Sequence, residues 1–312
     1  MEVKEHPGFI FAMQPDYGVG NNASRRRFWS AGLRANSRYQ GRLYQDHCEA
    51  SFDGGDAFLS AVLNAQESGM NITHFIMLHN DVVPESGWID ILMEEILACG
   101  ADLLSVAMPI KDLKGLTSTA IDSLDDPYEV ERRITMTELY RLPPTFGIKD
   151  IPGYGDRRLL ANTGCFVMDV TKPWFSAVWK EEELASYKLR KMAACQANPS
   201  HKAELLAIAD SLKDLEPVPG KLKLTNTSTD RVGRRADGQW QGEHSPSDWG
   251  LSRIIQNMGG KVMVTRKLAC LHMGQLPYDN QKPWGDEETD MALAHKWDGV
   301  PLLPKIKEAA PV

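Results

Sequence analysis

Cysteine is sparse in this sequence. Cys48, Cys99, Cys165, Cys195 and Cys270 are odd in number, scattered, and never spaced as CxxC. Neither a disulfide framework nor a cysteine-based zinc site is indicated, and a reducing, cytoplasmic setting is expected. Long apolar runs are also missing. None approaches the roughly 20 residues a membrane helix needs, and the polar start lacks the apolar core of a secretory signal. No internal repeat or low-complexity tract is present. The segment Gly18, Val19, Gly20 is not GxGxxG, so the dinucleotide-binding fingerprint is absent. One absence is local. No acidic residue falls between Val19 and Gln45, whereas Arg25, Arg26, Arg27, Arg34, Arg38 and Arg42 all do. The formal net charge of −7 argues against a protein that coats nucleic acid through its total charge. The arginine-rich stretch is then either a solvated helix face or a local positive field for a polyanion such as a diphosphate or nucleic acid.

With 312 residues, 42% hydrophobic and 25% charged, the chain suits one large soluble α/β domain or two smaller ones. It is organised around residues 74–84, where Phe75 to Leu78, with Ile72 nearby, make an apolar run too short for an independent helix. It reads as a buried strand covered on both faces. The run stops at His79, Asn80 and Asp81. Three polar residues at the carboxyl end of a buried strand lie where open α/β sheets hold their ligands. An oxygen ligand there suits a divalent cation carrying a phosphorylated substrate.

Around this run the pattern alternates. Strands are expected at 8–13, 41–50 and 102–109, and helices at 24–35, 53–68 and 88–99, with Gly100 as a stop. Strand and helix in alternation predict a parallel sheet with helices on both sides. The order then loosens. Residues 110–119 read as a hydroxyl-rich loop, and 122–156, with Pro127, Pro143, Pro144 and Pro152, as a long loop. A strand at 165–168 follows, then a strongly helix-forming stretch split by Pro199. A hairpin is expected within 221–240, turning near Asp237 and Gly238. A helix to Met258, a strand at 261–265 and a short run ending at His272 complete the domain. Trp284 and Trp297 are candidate anchors for the tail.

Four separated pieces now stand in one order: Leu78, His79, Asn80, Asp81, Val82, Val83, Pro84; then Asn162, Thr163, Gly164; then Pro246, Ser247, Asp248, Trp249; then His272. Over residues 8–274 this set resembles nucleotide-sugar glycosyltransferases of the GT-A fold, in particular the family-2-like group. A looser likeness to phage-associated members rests on Pro109, Ile110, Lys111, Asp112, on Gly115 with Leu116, Thr117, Ser118 and Thr119, and on Lys282, Pro283, Trp284, Gly285. The resemblance implies a Rossmann-like, mixed but mostly parallel sheet flanked by helices in a domain at 1–274. It also implies a helical insertion at about 178–216 and a tail at 275–312 packed on the domain.

The same resemblance implies the site. Asp81 falls on the last aspartate of the family's Asp-x-Asp motif, which binds Mn²⁺ or Mg²⁺, while His79 stands where the first aspartate usually does. His272 matches the C-terminal histidine that completes the metal site, and mixed Asp/His ligation favours Mn²⁺. Asp248 falls on the catalytic base, with Ser-Asp in place of Glu-Asp. The implied reaction is inverting transfer of a sugar from a nucleotide sugar, UDP-linked by family precedent, to an acceptor hydroxyl. Pro15, Asp16, Tyr17, Asp56, His79, Asn80, Lys111 and Gly164 are the expected donor-site residues, and Trp249 the expected acceptor platform. Each has a plainer alternative: Asp81 and Asp248 as helix caps, His272 as a satisfied polar group, Lys111 as solvated, Asp56 as a helix-start residue, Trp249 as core. A modified DNA base and a glycan both remain open as acceptors. Two other function classes stay open as well, a nucleotidyltransferase and a non-catalytic sugar- or nucleic-acid-binding module.

Overall fold

The computed structural model describes residues 9–16, 22–34, 40–47, 71–111, 114–123, 130–172, 179–180, 189–190, 193, 196–211, 222–223, 231–234, 240–243, 247–274 and 276–284. Its centre is a seven-stranded mixed sheet. The strands are β1 (Phe9–Asp16), β2 (Gln40–His47), β3 (Ile72–Leu78), β5 (Leu103–Val106), β8 (Thr145–Phe146), β10 (Cys165–Asp169) and β15 (Val262–Thr265), in the order β2-β1-β3-β10-β5-β15-β8. β1 runs parallel to β2 and β3, and β15 parallel to β5. β10 lies antiparallel between β3 and β5, and β8 is antiparallel to β15. The protein is therefore a mixed α/β fold, and the all-parallel order implied by the simple alternation is broken at the centre by β10.

Alternation along the central strands explains the two cores. Phe75 and Met77 of β3, Phe166 and Met168 of β10 and Leu103 of β5 point to one face. Ile76, Leu78, Cys165, Val167, Leu104 and Val106 point to the other. The second face is covered by helix α2 (Trp88–Cys99), which buries Trp88, Ile89, Leu92, Met93 and Ile96, one stripe at helical spacing. Gly87 (φ 79°) and Gly100 (φ 60°) bound this helix in left-handed backbone that a side chain disfavours. Phe28 of α1 (Asn22–Arg34) packs against Trp88 on the same side.

The first face is covered by α5 (Ser247–Asn257), through Leu251 and Ile255, and by a second sheet in the order β7-β6-β9. Its strands are β6 (Leu116–Asp122), β7 (Val130–Thr135) and β9 (Leu159–Leu160). Part of the expected hydroxyl-rich loop is thus a strand. Thr117 and Thr119 are buried, and Thr117 Oγ1 donates to the Ile134 carbonyl at 2.6 Å. From residue 130 on, the expected long loop is ordered core as well. β7 passes into the short helix α3 (Met136–Leu139), capped by Thr135, and Ile134, Met136, Leu139, Leu142, Phe146 and Ile151 join the first-face cluster.

A third sheet, in the order β17-β16-β4, rims the carboxyl edge of β3: β4 (Val82–Pro84), β16 (Cys270–Met273) and β17 (Pro277–Asp279). Buried Asn280 clamps this rim to the main sheet through the Ala107 and Leu268 carbonyls, each at 3.0 Å. Trp284 packs on the core, whereas Trp297 lies outside the described residues. Elsewhere, β11 (Trp179–Lys180) pairs with β12 (Leu222–Lys223), and α4 (Pro199–Ser211) starts at the proline that the sequence marks as a break. β13 (Arg231–Arg234) and β14 (Trp240–Glu243) pair antiparallel, so a hairpin is present but runs past residue 240, and its expected turn at Asp237 and Gly238 lies outside the described residues. No helix among the described residues is long and apolar enough to cross a membrane.

Candidate metal and donor site

Where β3 ends, three distant parts of the chain are tied to His79, Asn80 and Asp81. The His79 N–H donates to the Gly164 carbonyl at 2.8 Å, and the His79 carbonyl accepts from Val82 N and from Ser24 Oγ of α1, both at 3.1 Å. The Asp81 carbonyl accepts from Met273 N at 2.7 Å, and β16 pairs His272 opposite Val82. Ladder register therefore brings His272 to Asp81, although 191 positions separate them (272 − 81). Space at Gly164 is tight. A Cβ there would sit 3.2 Å from Asn162 Oδ1 and 3.6 Å from Val82 Cγ2. Asn162, buried, accepts the Gly164 N–H at 2.9 Å and donates to the Val106 carbonyl at 2.9 Å, which locks that loop over the end of β3.

Asp81 Oδ2 faces His272 Nε2 at 3.6 Å and also contacts Lys111 Nζ. His272 Nδ1 lies 2.7 Å from the Pro109 carbonyl. A carbonyl only accepts, so this bond puts the ring proton on Nδ1 and, in the neutral ring, turns the Nε2 lone pair toward Asp81. That is the orientation in which histidine ligates metals, held by a second hydrogen bond. At 3.6 Å, nitrogen and oxygen are too far apart for a good hydrogen bond. They suit two ligands of one ion, since bonds of about 2.1 Å separate ligand atoms by roughly 3 to 3.6 Å. Asp81 Oδ1 is buried and has no hydrogen-bond partner among the described residues. An orphaned carboxylate oxygen beside an oriented imidazole fits a divalent cation, and an oxygen–nitrogen donor pair favours Mn²⁺ over Mg²⁺. Among the described residues no group of three or more His, Cys, Asp and Glu gathers as a metal cage. Two side chains holding an ion whose other positions take water or phosphate oxygens is how substrate-bridging ions are bound.

Burial alone would raise the Asp81 carboxyl, but His272 and Lys111 outweigh it and hold the group well below the ordinary carboxylate range. The His272 contribution belongs to a ring that also carries a proton on Nε2, a proton that must leave before that nitrogen can ligate a metal. Burial holds the His79 imidazole below its ordinary value; Asp81 opposes this, while His272 and Lys111 add to it. His79 is therefore a neutral hydrogen-bonding ring at physiological pH.

The other expected site residues are placed unevenly. Asn80 is buried in the turn at the end of β3. Pro15 and Asp16 end β1 and Asp248 opens α5, but the side chains of all three lie outside the described residues, as do Tyr17 and Asp56 entirely. Trp249 is 4% exposed, packed with Ala120 and Leu160, donating to the Ser118 carbonyl at 3.2 Å and covered by the Arg133 guanidinium. It packs in the core. Residues the sequence did not flag also build the site. Ser24 is one, oriented by buried Gln14 at 2.9 Å. Pro109 is another, and it acts through a backbone carbonyl that has no side-chain signature.

Fold and edge together define the class: a mixed α/β protein with a carboxylate–imidazole–lysine cluster at the carboxyl edge of its central strand. No family model matches the chain, and no curated protein sequence does. Among solved structures it is similar to protein A197 from STIV, with 9% identity, 86% of each chain covered and a TM-score of 0.38. It is also similar to 4-diphosphocytidyl-2C-methyl-D-erythritol synthase from Anaerococcus prevotii, with 11% identity, covering 70% of this chain and 93% of that one, and a TM-score of 0.28. Likenesses this weak do not define the fold.

Proposed function

We propose that this protein is a GT-A glycosyltransferase that uses a divalent cation to move a sugar from a nucleotide sugar, UDP-linked by family precedent, to an acceptor hydroxyl. The observation that carries the proposal is the meeting of Asp81 and His272 at 3.6 Å, with the imidazole turned by Pro109 and the second carboxylate oxygen orphaned. Asp81 and His272 would hold the cation, which when bound offsets charge on the diphosphate leaving group. His79, neutral, offers a ring nitrogen to a ribose hydroxyl, and Asn80 lies beside it in the same turn. Lys111 supplies a positive charge next to the phosphates. Arg26 and Arg27 are exposed on α1, the helix whose Ser24 bonds to His79. Their charge suits a phosphate-bearing partner, which favours a DNA base over a neutral glycan as acceptor.

Chemically, the acceptor oxygen forms a bond to the anomeric carbon as the bond from that carbon to the diphosphate oxygen breaks. The nucleoside diphosphate leaves with the electron pair, and Asp248 takes the acceptor proton. A positioned base contributes about two to four orders of magnitude to such a step, and a single displacement inverts the anomeric centre.

The test is a nucleotide-sugar panel scored for nucleoside diphosphate release, with Mn²⁺ and with chelator. Release that needs Mn²⁺ and vanishes in Asp81→Ala supports the proposal. Pyrophosphate release would instead identify a nucleotidyltransferase, and Mn²⁺-dependent donor binding without any release would identify a binding module.

A further inference from the structure

The cation position beside Asp81 is contested from within the chain. Lys111 Nζ contacts Oδ2, the same oxygen that faces His272 Nε2. Lys111 reaches it from the segment just after Pro109, the residue that orients His272. Its stem runs tightly over β16's exit. A Cβ at Gly274 would lie 3.2 Å from Lys111 Cδ and 3.3 Å from its Cβ. One oxygen of the carboxylate is thus neutralised by an ammonium while the other, Oδ1, is buried and has no partner among the described residues. An ammonium and a divalent ion cannot both sit at contact distance on Oδ2 without strong repulsion in this partly buried setting.

We infer that Lys111 is a tethered counter-cation. It occupies the Asp81 position while no metal is bound, is displaced when a divalent ion arrives, and its freed ammonium then engages the phosphates of the donor. This inference rests on Asp81 and His272 being cation ligands, and it does not require sugar transfer. Two consequences follow from charge alone. Lys111 weakens metal binding, because an ion pair must break first, and it strengthens binding of a diphosphate once the metal is in place.

Calorimetry of the full chain with Mn²⁺ alone, then with a nucleoside diphosphate, tests both. Lys111→Met is expected to bind Mn²⁺ about two- to five-fold more tightly, the scale of removing a partly exposed ion pair. It is also expected to bind the diphosphate more weakly than wild type in the presence of Mn²⁺. A second measurement needs no substitution. Lys111 modification by an amine-reactive ester, followed by peptide mass spectrometry, should accelerate when Mn²⁺ is added, whereas exposed Lys202 on α4 should not respond. Unchanged or weaker Mn²⁺ binding by Lys111→Met overturns the inference. So does labelling indifferent to Mn²⁺, or a wild-type chain that binds no Mn²⁺. Tighter Mn²⁺ binding by the variant with no nucleotide sugar consumed by wild type would keep this inference and remove the glycosyltransferase proposal. Mn²⁺-dependent transfer with Lys111→Met affinity unchanged would do the reverse.

Discussion

Asp122 offers a sharp test of how the candidate base is held in place. It ends β6, is fully buried, and accepts hydrogen bonds from Arg158 Nε at 2.7 Å and from Arg253 Nε and Nη2 at 2.9 and 2.6 Å. Arg253 belongs to α5, the helix that Ser247 and Asp248 open, so this carboxylate fastens that helix to the second sheet. Asp122→Ala removes the buried carboxylate that both guanidinium groups share. Breaking a buried pair from one side costs about 3 to 5 kcal/mol. Arg253 is 11% exposed and cannot escape, whereas Arg158, at 28%, has a route to solvent, so the lower end, about 3 kcal/mol, is expected. At roughly 2 to 4 °C per kcal/mol for a domain of this size, the thermal midpoint should fall by about 6 to 12 °C. Urea and thermal denaturation followed by circular dichroism measure both quantities. Lys172→Met is the control. Its pair with Asp102 is 3.7 Å long and Lys172 is 44% exposed, so its loss should stay under about 1 kcal/mol. An Asp122→Ala loss no larger than that of Lys172→Met would refute the reasoning.

Asp248→Asn should abolish transfer while the thermal midpoint stays near wild type; lost stability with turnover kept would mark Asp248 as a helix cap. Trp249→Ala should cost about 3 to 5 kcal/mol in chemical denaturation, and Trp249→Phe less, as packing predicts and an acceptor platform does not. His79 has a folded pKa below its unfolded value, so below about pH 6.5 the unfolded chain takes up a proton that the folded chain refuses. Stability of the metal-free protein should therefore fall as pH drops from 7 to 5, and His79→Gln should flatten that slope in chelator-containing buffer. An unchanged slope would contradict the burial-driven shift.

Much of the first half of the fold was legible because its elements carry clean periodicity. The α2 stripe of Trp88, Ile89, Leu92, Met93 and Ile96 between two glycines can be read without a structure, and so can the run into His79. The direction of β10 could not, because Cys165 and Val167 alternate with Phe166 and Met168 identically whichever way the strand runs. β6 was hidden by its hydroxyl residues, although Thr117 gives its hydroxyl to the Ile134 carbonyl and Ser118 gives its own to the Met108 carbonyl. Prolines disguised 130–151 as loop although Ile134, Leu139 and Phe146 fill the main core. At the site, Asp81 and His272 were reachable only as members of an ordered set, since nothing local to either residue announces the β4–β16 pairing that joins them. The Pro109 carbonyl left no mark in the sequence. The contact of Lys111 with Asp81 was equally invisible, because charge patterns do not say which carboxylate a lysine will meet.

Electron paramagnetic resonance of Mn²⁺ titrated into the purified chain tests most directly whether Asp81 and His272 share a cation. One bound ion per chain is predicted, lost in Asp81→Ala and clearly weakened in His272→Ala. Spectra of all three proteins showing only free Mn²⁺, or the same bound signal, would contradict it.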